Sequence, residues 1–414
     1  MFNPNQKIFL HKIRIYGIEK LSSIWDGILF ALGIPPIIKN TSENVLLFVG
    51  EHLPPRIARM AKWIKRESDY SIILLCHRRG FVKEFSDPCF SSVYLFRNGF
   101  HLKRILKQIQ NIKIIHGFAP KSEFPNIARK FINKPYVHDM QDVYTIYYDK
   151  NTSLNWLQKE LPLEAECLTE ANGIVAHSLE PNAALRMLSC KKKPKTIFFP
   201  LYCDDDFFQN NNKTLDPGNI HLVYAGGVAG SHRNPAQYGN IQFHGLIKTL
   251  TEQKLHFHIY PSPSNIRADY EEYENISKEN PFFHFHNPVA QQMLAKELSQ
   301  YHFGIHLGFI NDEVHKQSPL KYKLCTTLKL FNFIEACIPV ICSDNLFFQS
   351  EILKHSQSGI IINRSELINL RSKITIEKYK DLIINLKIGR EKLSLKQNTV
   401  RLINFYKGVL NHGN

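Results

Sequence analysis

The feature that most constrains the fold is an alternation of apolar runs and helical segments, which occurs twice along the chain. The first series begins at Val45 with NVLLFVG, a continuous apolar run of the kind expected for a strand buried on both faces. Next comes PPRIARMAKWIKRE, whose apolar residues recur at helical spacing and whose prolines suit a first helical turn. The alternation continues to the strand-like GIVAHS. Strands that alternate with helices predict a doubly wound parallel sheet.

A second series of the same kind follows a polar stretch, QNNNKTLDPGN, which has no periodicity and is typical of a linker. The second series begins with IHLVYAGG and ends with SGIIIN. We therefore predict an α/β protein with two Rossmann-like domains that face each other across a cleft. The predicted domains are residues 1–210 and 211–375, and a helical segment, residues 376–414, is expected to cross back to the first domain.

Residues 1–44 form a less regular preface that contains SSIWDGILFALGIPPII. This stretch is apolar enough to pack on the first domain or to contact a membrane surface, and packing is the favoured interpretation. The chain has no apolar run of about 18 residues, so no transmembrane helix is predicted. Its start does not resemble a secretory signal. Its eight cysteines form no CxxC pair, which favours reduced thiols in a cytoplasmic protein.

The chain is basic, with 52 lysines and arginines against 37 aspartates and glutamates and a net charge of +15. Such a surplus fits nucleic acid, anionic lipid headgroups or phosphorylated substrates. The densest cluster, KKKPK at 191–195, lies between a helical pattern and an apolar strand, where a solvated loop is the favoured interpretation. A nucleic-acid partner has only the charge in its favour and is not predicted.

Candidate site residues follow from a rule for open α/β sheets: ligands bind outside the carboxyl ends of the strands. In the first series, YVHDMQDVY places a histidine beside carboxylates at such an end, a pair that can act as a base or bind sugar hydroxyls. The alternative is that these side chains only fix the loop. The candidates from this half are Glu51, His52, His116, His138, Asp139 and Asp142.

Two motifs in the second series suit a phosphate. In VYAGGVAGSHR, Gly226 and Gly227 let the backbone approach an anion closely, and Arg233 could pair with its charge. In CTTLKLFNF, a threonine at 327 is placed to cap a helix whose positive end would face the cleft, with Lys329 in the first turn. From spacing alone, a diphosphate cradle and an ordinary capped helix with a surface lysine are equally supported.

Two further motifs look like metal sites, but a metal site is not the favoured interpretation of either motif. The tripeptide HFH occurs at 256–258 and at 284–286, and each pair shares one strand face, but no third ligand is near in sequence. The acidic run CDDD at 203–206 follows an apolar strand where a turn is expected, and turn chemistry is the favoured interpretation. No metal site is predicted.

Taken in order, several segments resemble the GT-B glycosyltransferases of the large group-1/family-4 type. The resemblance extends from about residue 45 to about residue 365. In that family the segment near the end is similar to sPxKlfEYlaaGkPVi. The segments here are HDMQDVY, ANGIVAHS, FFPLYCDDDFF, YAGGV, YHFGIHLGF, TLKLFNFIEACIPVICSD and SGIIIN.

The resemblance implies a hexosyltransferase-like, metal-independent enzyme with a nucleotide-diphosphate sugar as co-substrate and no cofactor. It also implies a glycan or lipid-linked acceptor in cell-surface polysaccharide synthesis, at the inner face of a cytoplasmic membrane whose anionic surface the protein would contact peripherally. His138 and Asp139 would be catalytic, and the acceptor side would include Glu51, His52, His116 and Asp142. The implied donor-binding residues are Gly226, Gly227, Arg233, Thr327, Lys329 and Asn332.

The chain departs from the family pattern at three positions. Asn332 stands where members commonly carry a glutamate that binds ribose hydroxyls, and Leu324 stands where many carry a second glutamate. Cys337 replaces the glycine before the xPV segment. These departures leave two alternatives open: a non-catalytic GT-B protein that acts as a partner in glycan assembly, and a sugar-nucleotide epimerase.

Overall fold

Two parallel β-sheets form the protein, as the sequence predicts. In the computed structural model, the first sheet has seven strands and the second has six. The α/β prediction with two Rossmann-like domains is confirmed. The structure describes residues 4–34, 36, 43–86, 89–118, 120–148, 154–190, 193–309 and 318–411, and for residues 4–17 it describes the backbone.

The first sheet is built from the first series of the sequence. Its strands are β1 (Val45–His52), β2 (Ser71–Gly80), β3 (Ser92–Phe96), β4 (Ile112–Phe118), β5 (Tyr136–Met140), β6 (Gly173–Ala176) and β7 (Lys195–Phe198). They lie in the order β3-β2-β1-β4-β5-β6-β7, and all neighbours are parallel. The helices of this half are α1 (Pro4–Ala31), α2 (Pro55–Glu67), α3 (Lys83–Ser86), α4 (Gly99–Leu106), α5 (Glu123–Phe131), α6 (Tyr144–Tyr147), α7 (Asn155–Thr169) and α8 (Glu180–Met187).

The second sheet repeats the plan. Its strands are β8 (His221–Gly226), β9 (His256–Pro261), β10 (Phe283–Phe285), β11 (Phe303–His306), β12 (Val340–Ser343) and β13 (Gly359–Ile362), in the order β10-β9-β8-β11-β12-β13. Short 3-10 segments occupy 205–207, 239–241, 267–269 and 364–373. The helices are α9 (Pro235–Tyr238), α10 (His244–Glu252), α11 (Glu271–Glu279), α12 (Gln291–Leu298), α13 (Pro319–Leu324), α14 (Leu328–Glu335), α15 (Phe347–Ser356), α16 (Ile376–Lys392) and α17 (Leu395–Leu410).

The continuous apolar character of the central strands follows from burial on both faces. In β1, Val45 and Leu47 belong to one core layer of the first domain, whereas Leu46 and Phe48 belong to the layer on the opposite face. Successive side chains of a strand point to opposite faces, so helices must cover both.

The C-terminal helix crosses back to the first domain, as predicted. Tyr379 and Leu382 of α16 lie in the core of the second domain, whereas Leu402 and Tyr406 of α17 lie in the core of the first. The Tyr406 hydroxyl lies 2.8 Å from Nδ1 of His116 in β4. The numerical domain boundaries at 210 and 375 stay predictions.

A buried ion pair joins the two domains. In Arg59 of α2, Nη1 donates to Oε1 of Glu335 in α14 over 2.7 Å, and Nη2 donates to Oε2. The same carboxylate accepts the backbone N–H of Asp204, which lies in the CDDD run. Asp204 also accepts from the indole of Trp63, and Asp206 pairs with Lys62 of α2. The CDDD run is therefore a turn whose carboxylates bind the first domain. None of the described helices is long and apolar enough to span a membrane.

Six histidines form a continuous cluster on one face of the second sheet, which we call the histidine ladder. Both ring nitrogens of His258 are used: Nε2 lies 2.8 Å from Nδ1 of His221, and Nδ1 lies 2.9 Å from Nε2 of His286. Within the described ranges, no group of metal-ligating side chains is placed to hold a metal ion. The members of the ladder are His221, His256, His258, His284, His286 and His302.

The ladder predicts that acid destabilises the second domain. Burial and the neighbouring rings lower the pKa of His221 to about 4 and lower that of His258 further. Lys213 acts in the same direction on His221 and His302, whereas Asp216 opposes the shift at His302 and Glu297 opposes it at His286. The unfolded chain binds these protons near pH 6.5 and the folded chain does not, so stability is complete above pH 6.5 and falls as the pH drops towards 4.

We expect the free energy of unfolding to fall by on the order of 1 kcal/mol between pH 7 and pH 5, a figure that allows for screening by water. Urea titrations at several pH values measure it. His258→Gln, which cannot gain a proton, should flatten the pH dependence, whereas His355→Gln on the exposed surface of α15 should not. If the free energy of unfolding depended on pH equally in wild type and His258→Gln, the prediction would be contradicted.

Candidate functional site

The carboxyl end of β8 and the start of α14 meet at one place in the second domain. Gly226, the last residue of β8, has φ +152°, and a Cβ there would lie 2.4 Å from Cε of Lys329. The lysine side chain therefore passes directly over the glycine. A Cβ on Gly227 would meet only Ile241, at 3.9 Å, so the space beside this backbone is open. The fold brings together three of the residues predicted to bind the donor.

The N-terminus of α14 has amide groups that no side chain of its cap residue binds. Thr327 is the N-cap residue and is extended, but its side chain makes no capping hydrogen bond. Its hydroxyl instead donates to Oε1 of Gln349 over 3.3 Å and lies 3.2 Å from Nε2 of His306 at the end of β11. The first-turn N–H groups and the positive end of the helix dipole are thus available to an anion.

Lys329 carries a charge that no carboxylate among the described residues neutralises by an ion pair. Burial lowers the pKa of its ammonium group; Cys325 and Asp142 act in the opposite direction, and Lys321 lowers the pKa further. None of the ion pairs between described residues includes Lys329. An anion bound here would gain a partly desolvated cation and would raise the lysine pKa again.

Arg233, the other predicted phosphate ligand, is engaged elsewhere. Its Nε and Nη2 donate to the two carboxylate oxygens of Asp269 over 2.6 and 2.9 Å, and its guanidinium lies over the ring of Tyr238. A bidentate pair of this kind orients the arginine strongly. A role for Arg233 at the donor stays a prediction that requires this pair to open.

Asn332 is directed to a neighbouring helix. It is buried, and its Oδ1 accepts from Nε2 of Gln291, the first residue of α12, over 3.0 Å. Glu335, one turn further along α14, forms the interdomain pair with Arg59 and so does not take over the role of the glutamate that the family has at 332. An amide pair between α12 and α14 thus occupies this position.

The structure differs from the expectation that His138 and Asp139 both face the cleft. They are consecutive residues of β5, so their side chains point to opposite faces of the sheet, and they are 0% and 1% exposed. Burial lowers the pKa of His138 to about 3, which keeps the ring neutral. Burial alone would raise the pKa of Asp139, but Arg56 and His116 outweigh it and hold that pKa below its ordinary value.

His116 belongs to the same interior cluster, and its acceptor-side role stays a prediction. It is buried in β4, where its Nε2 lies 3.4 Å from Oδ2 of Asp139 and its Nδ1 bonds the hydroxyl of Tyr406 in α17. Arg56 of α2 donates to the same carboxylate oxygen. This cluster joins α2, β4, β5 and α17. A catalytic role for His138 and Asp139 stays a prediction.

Asp142 is the carboxylate at the carboxyl end of β5 that does reach the cleft. It has φ +61°, a left-handed conformation that is uncommon outside glycine and that concentrates at functional sites. Tyr147 donates its hydroxyl to Asp142, and Nζ of Lys321, from the second domain, lies 3.9 Å away. Nζ of Lys321 also lies 3.7 Å from the centre of the Tyr147 ring.

Two ionisable side chains next to Asp142 were not singled out from the sequence. Glu180 opens α8, where its Oε2 accepts from the hydroxyl of Ser178 over 2.9 Å, and burial raises its pKa to about 7. Burial lowers the pKa of His177 to about 4. Both residues follow β6, so the strand-end rule applied to AHSLE could have found them.

A polar cavity of about 640 Å³ lies at the carboxyl ends of the first three strands. Glu51, at the end of β1, lines it and lies 3.2 Å from Nζ of Lys121. His52 is the next residue, and its ring lies 4.0 Å from the Glu51 carboxylate. The other polar lining residues include His77, Arg79, Arg97, Glu123 and, from α1, Glu19, Lys20 and Ser23.

Comparison with known proteins identifies the fold. No family model matches the chain, and no curated protein sequence matches it significantly. Solved structures do match: Anabaena HepE in complex with UDP and glucose is 13% identical, with a TM-score of 0.62 and coverage of 88% of this chain and 100% of that one. The N-terminal domain of Candida albicans trehalose-6-phosphate phosphatase is 11% identical, with a TM-score of 0.59 and coverage of 91% and 99%.

A third similar structure is the trehalose 6-phosphate synthase of Burkholderia multivorans, which is 8% identical, with a TM-score of 0.58 and coverage of 90% of this chain and 100% of that one. At these identities the likeness concerns the fold. The two domains, their parallel sheets and the returning C-terminal helix define a GT-B fold, as the sequence resemblance implies.

Proposed function

We propose that this protein is a glycosyltransferase that transfers a hexose-type sugar from a nucleotide-diphosphate donor to a glycan or lipid-linked acceptor. The reaction would need no metal ion and would serve cell-surface polysaccharide synthesis at the inner face of the cytoplasmic membrane. The group-1/family-4 type remains the proposed family. The GT-B fold supports this proposal, since the HepE structure of that fold contains UDP and glucose.

The observation that carries the proposal is the arrangement of Lys329. Its ammonium group has no carboxylate partner among the described residues, its side chain crosses Gly226, and it projects from the first turn of α14. A diphosphate bound there would contact a cation, a helix N-terminus and open glycine backbone together. These groups can neutralise a diphosphate without a divalent ion.

At the anomeric carbon, the chemical step forms one bond and breaks one; the acceptor O–H bond also breaks, and its proton moves to a base. The acceptor hydroxyl oxygen bonds to the anomeric carbon, the bond from that carbon to the β-phosphate oxygen breaks, and the bonding electrons leave with the nucleoside diphosphate. Lys329 and the amides of α14 would stabilise the charge that develops on that leaving group. The hydroxyl proton passes to a base, and Asp142 is the side chain we assign, because it lies at the carboxyl end of β5, its charge acts on Lys329, and it is held by Tyr147 and Lys321.

The acceptor would occupy the polar cavity of the first domain. Glu51 and Glu123 offer carboxylates that can accept from sugar hydroxyls, while Lys20 and Lys103, which form no ion pair between described residues, can bind a phosphate or carboxylate on the acceptor. This cavity has the carboxyl-end location expected of a ligand site in an open α/β sheet.

A donor panel tests the proposed function. Thermal shift and donor hydrolysis would be measured with UDP-, GDP- and CMP-sugars, with and without EDTA. We expect one diphosphate donor to raise the melting temperature and to be hydrolysed equally well in EDTA. Silence across the panel would favour a non-catalytic partner in glycan assembly. Interconversion of the free donor without any acceptor would identify an epimerase instead.

A further inference from the structure

Over residues 18–31, where its side chains are described, helix α1 packs on the first domain through one face. Asp26 on that face is fully buried, and its carboxylate accepts from Arg97, Asn98 and Arg104 over 2.7 to 2.9 Å. Phe30, one turn later, lies against Phe100 and Phe131 at ring-centre distances of 6.2 and 6.0 Å. The favoured interpretation of this segment, packing on the first domain, is therefore right for this face.

The opposite face of α1 is apolar and exposed. Its large apolar side chains are 46% to 69% exposed, and their spacing of three and four residues places them in one row along the helix. Leu32, just beyond the helix, continues the row and is also exposed. No described residue covers it. We call this row the apolar stripe; within α1 it consists of Ile18, Leu21, Ile24, Trp25 and Ile28.

Three lysines without ion-pair partners among the described residues lie on or beside the helix that carries the stripe. Lys20 is exposed on α1 itself. Lys103 and Lys107 of α4 lie beside α1, with their Nζ atoms 5.9 and 4.3 Å from the centre of the Phe30 ring. Neither these lysines nor Lys20 take part in any ion pair between described residues, whereas the acidic neighbours Glu19 and Asp26 are paired with arginines. The surroundings of the stripe therefore carry surplus positive charge.

The polar cavity proposed for the acceptor borders the same helix. Glu19, Lys20 and Ser23 of α1 form one of its walls. Ser23 lies three residues before the buried Asp26, and Glu19 lies four residues before Ser23, so both share the face of Asp26. Lys20 lies three residues before Ser23 and four before Ile24, at the border with the apolar stripe. A surface that received the stripe would therefore lie next to the mouth of the cavity.

We propose that the apolar stripe inserts into the headgroup region of a bilayer that contains anionic lipid, and that the cavity beside α1 takes its acceptor from that bilayer. The second part rests on the proposed function; the first does not. An interfacial helix combines large apolar side chains on one face with lysines at its edges, as here. A second copy of the chain fits less well, because a two-fold interface would bring the same lysines towards each other.

Flotation with vesicles tests the docking. The full chain would be mixed with phosphatidylcholine vesicles, with and without about 30% phosphatidylglycerol. We expect binding to the anionic vesicles, and a loss of about tenfold or more in Leu21→Gln/Trp25→Gln/Ile28→Gln. Ile384→Gln/Ile388→Gln, which changes exposed side chains of α16, is the matched control and should bind as wild type does.

Tryptophan fluorescence gives an independent measure. In Trp156→Phe, the remaining tryptophans are Trp25, on the stripe, and the buried Trp63, so a blue shift on vesicle addition reports Trp25. Unchanged vesicle binding by the triple variant would overturn the docking. So would a wild-type protein that binds no vesicles but forms a dimer which the triple substitution converts to monomer. Donor binding, measured on the same samples, separates the two hypotheses: vesicle binding without donor binding would leave the docking intact and refute the transferase.

Discussion

Replacement of Lys329 by alanine is expected to weaken nucleoside diphosphate binding by about 10- to 100-fold. A hydrogen bond to a charged group contributes about 1.5–3 kcal/mol, and each 1.4 kcal/mol changes the dissociation constant about tenfold. Lys329 is the cation that the fold holds over Gly226 without a carboxylate partner among the described residues, so its loss removes the charge that faces the diphosphate.

Isothermal titration calorimetry with UDP and GDP measures this effect, and two further variants sharpen it. Gly226→Ala keeps the charge but displaces the lysine, because the new Cβ would lie 2.4 Å from its Cε, and it should weaken binding in the same direction. Lys354→Ala, which removes an exposed lysine paired with Glu351, is the control and should leave affinity unchanged. Equal affinity in wild type and Lys329→Ala would refute the donor site.

Replacement of Arg56 by methionine is expected to destabilise the first domain by about 3–5 kcal/mol. Arg56 and Asp139 form a buried ion pair, and removal of one partner leaves an uncompensated charge in the core. His116 lies 3.4 Å from the same carboxylate but cannot replace a guanidinium, because burial lowers its pKa. Denaturant unfolding of the variant measures the loss.

The double variant Arg56→Met/Asp139→Asn separates structure from catalysis. With no buried charge left unpaired, it should recover much of the lost stability. If Asp139 is catalytic, as the sequence resemblance implies, the double variant should fold but lose donor turnover. Full turnover by a stable double variant would refute that role and leave Asp139 as an interior ion-pair residue. A double variant no more stable than Arg56→Met would contradict the ion-pair argument.

Much of the fold could be predicted because parallel strands leave a clear local signal. NVLLFVG is apolar without interruption because β1 is covered on both faces, and the amphipathic segment after it forms α2. The strand-end rule also found Gly226, Gly227 and Asp142, because it depends only on where a strand stops. Lys329 was found from its place in the first turn of a helix.

The rest of the candidate site depends on neighbours that are distant in sequence. HDM indicates a histidine and a carboxylate at a strand end. In the structure, however, the Asp139 carboxylate is buried and pairs with Arg56, which lies 83 residues earlier. The two HFH tripeptides look like incomplete metal sites until the pairing of β8, β9 and β10 places His221 and His302 beside them. Lys321 approaches Asp142 only because the two domains meet, and Glu180 lies near Asp142 because β5 and β6 pair in the first sheet.

The segment TLKLFNFIEACIPVICSD also combines local signals with contacts to residues that are distant in sequence. Asn332, which departs from the pattern of the family that the sequence resembles, accepts a hydrogen bond from Gln291 of α12, and Glu335 is held by Arg59 across the domain interface. Cys337 has φ +56°, the left-handed conformation for which glycine is the usual residue at the end of a helix, and it is fully buried in the core of the second domain. Packing of its side chain offsets part of the backbone cost.

The sequence by itself determined the two parallel sheets, their order along the chain and the glycine and lysine of the proposed donor site, because hydrophobic periodicity and helix-terminus chemistry act over a few residues. Only the tertiary structure decided which polar side chains are neutralised. Arg56, Arg59 and Arg233 are each bound to a carboxylate that lies far away in sequence, whereas no carboxylate among the described residues pairs with Lys329 or with the lysines on and beside α1. Charge pairing depends on distances of a few ångströms between distant segments, and those distances exist only once the domains have packed.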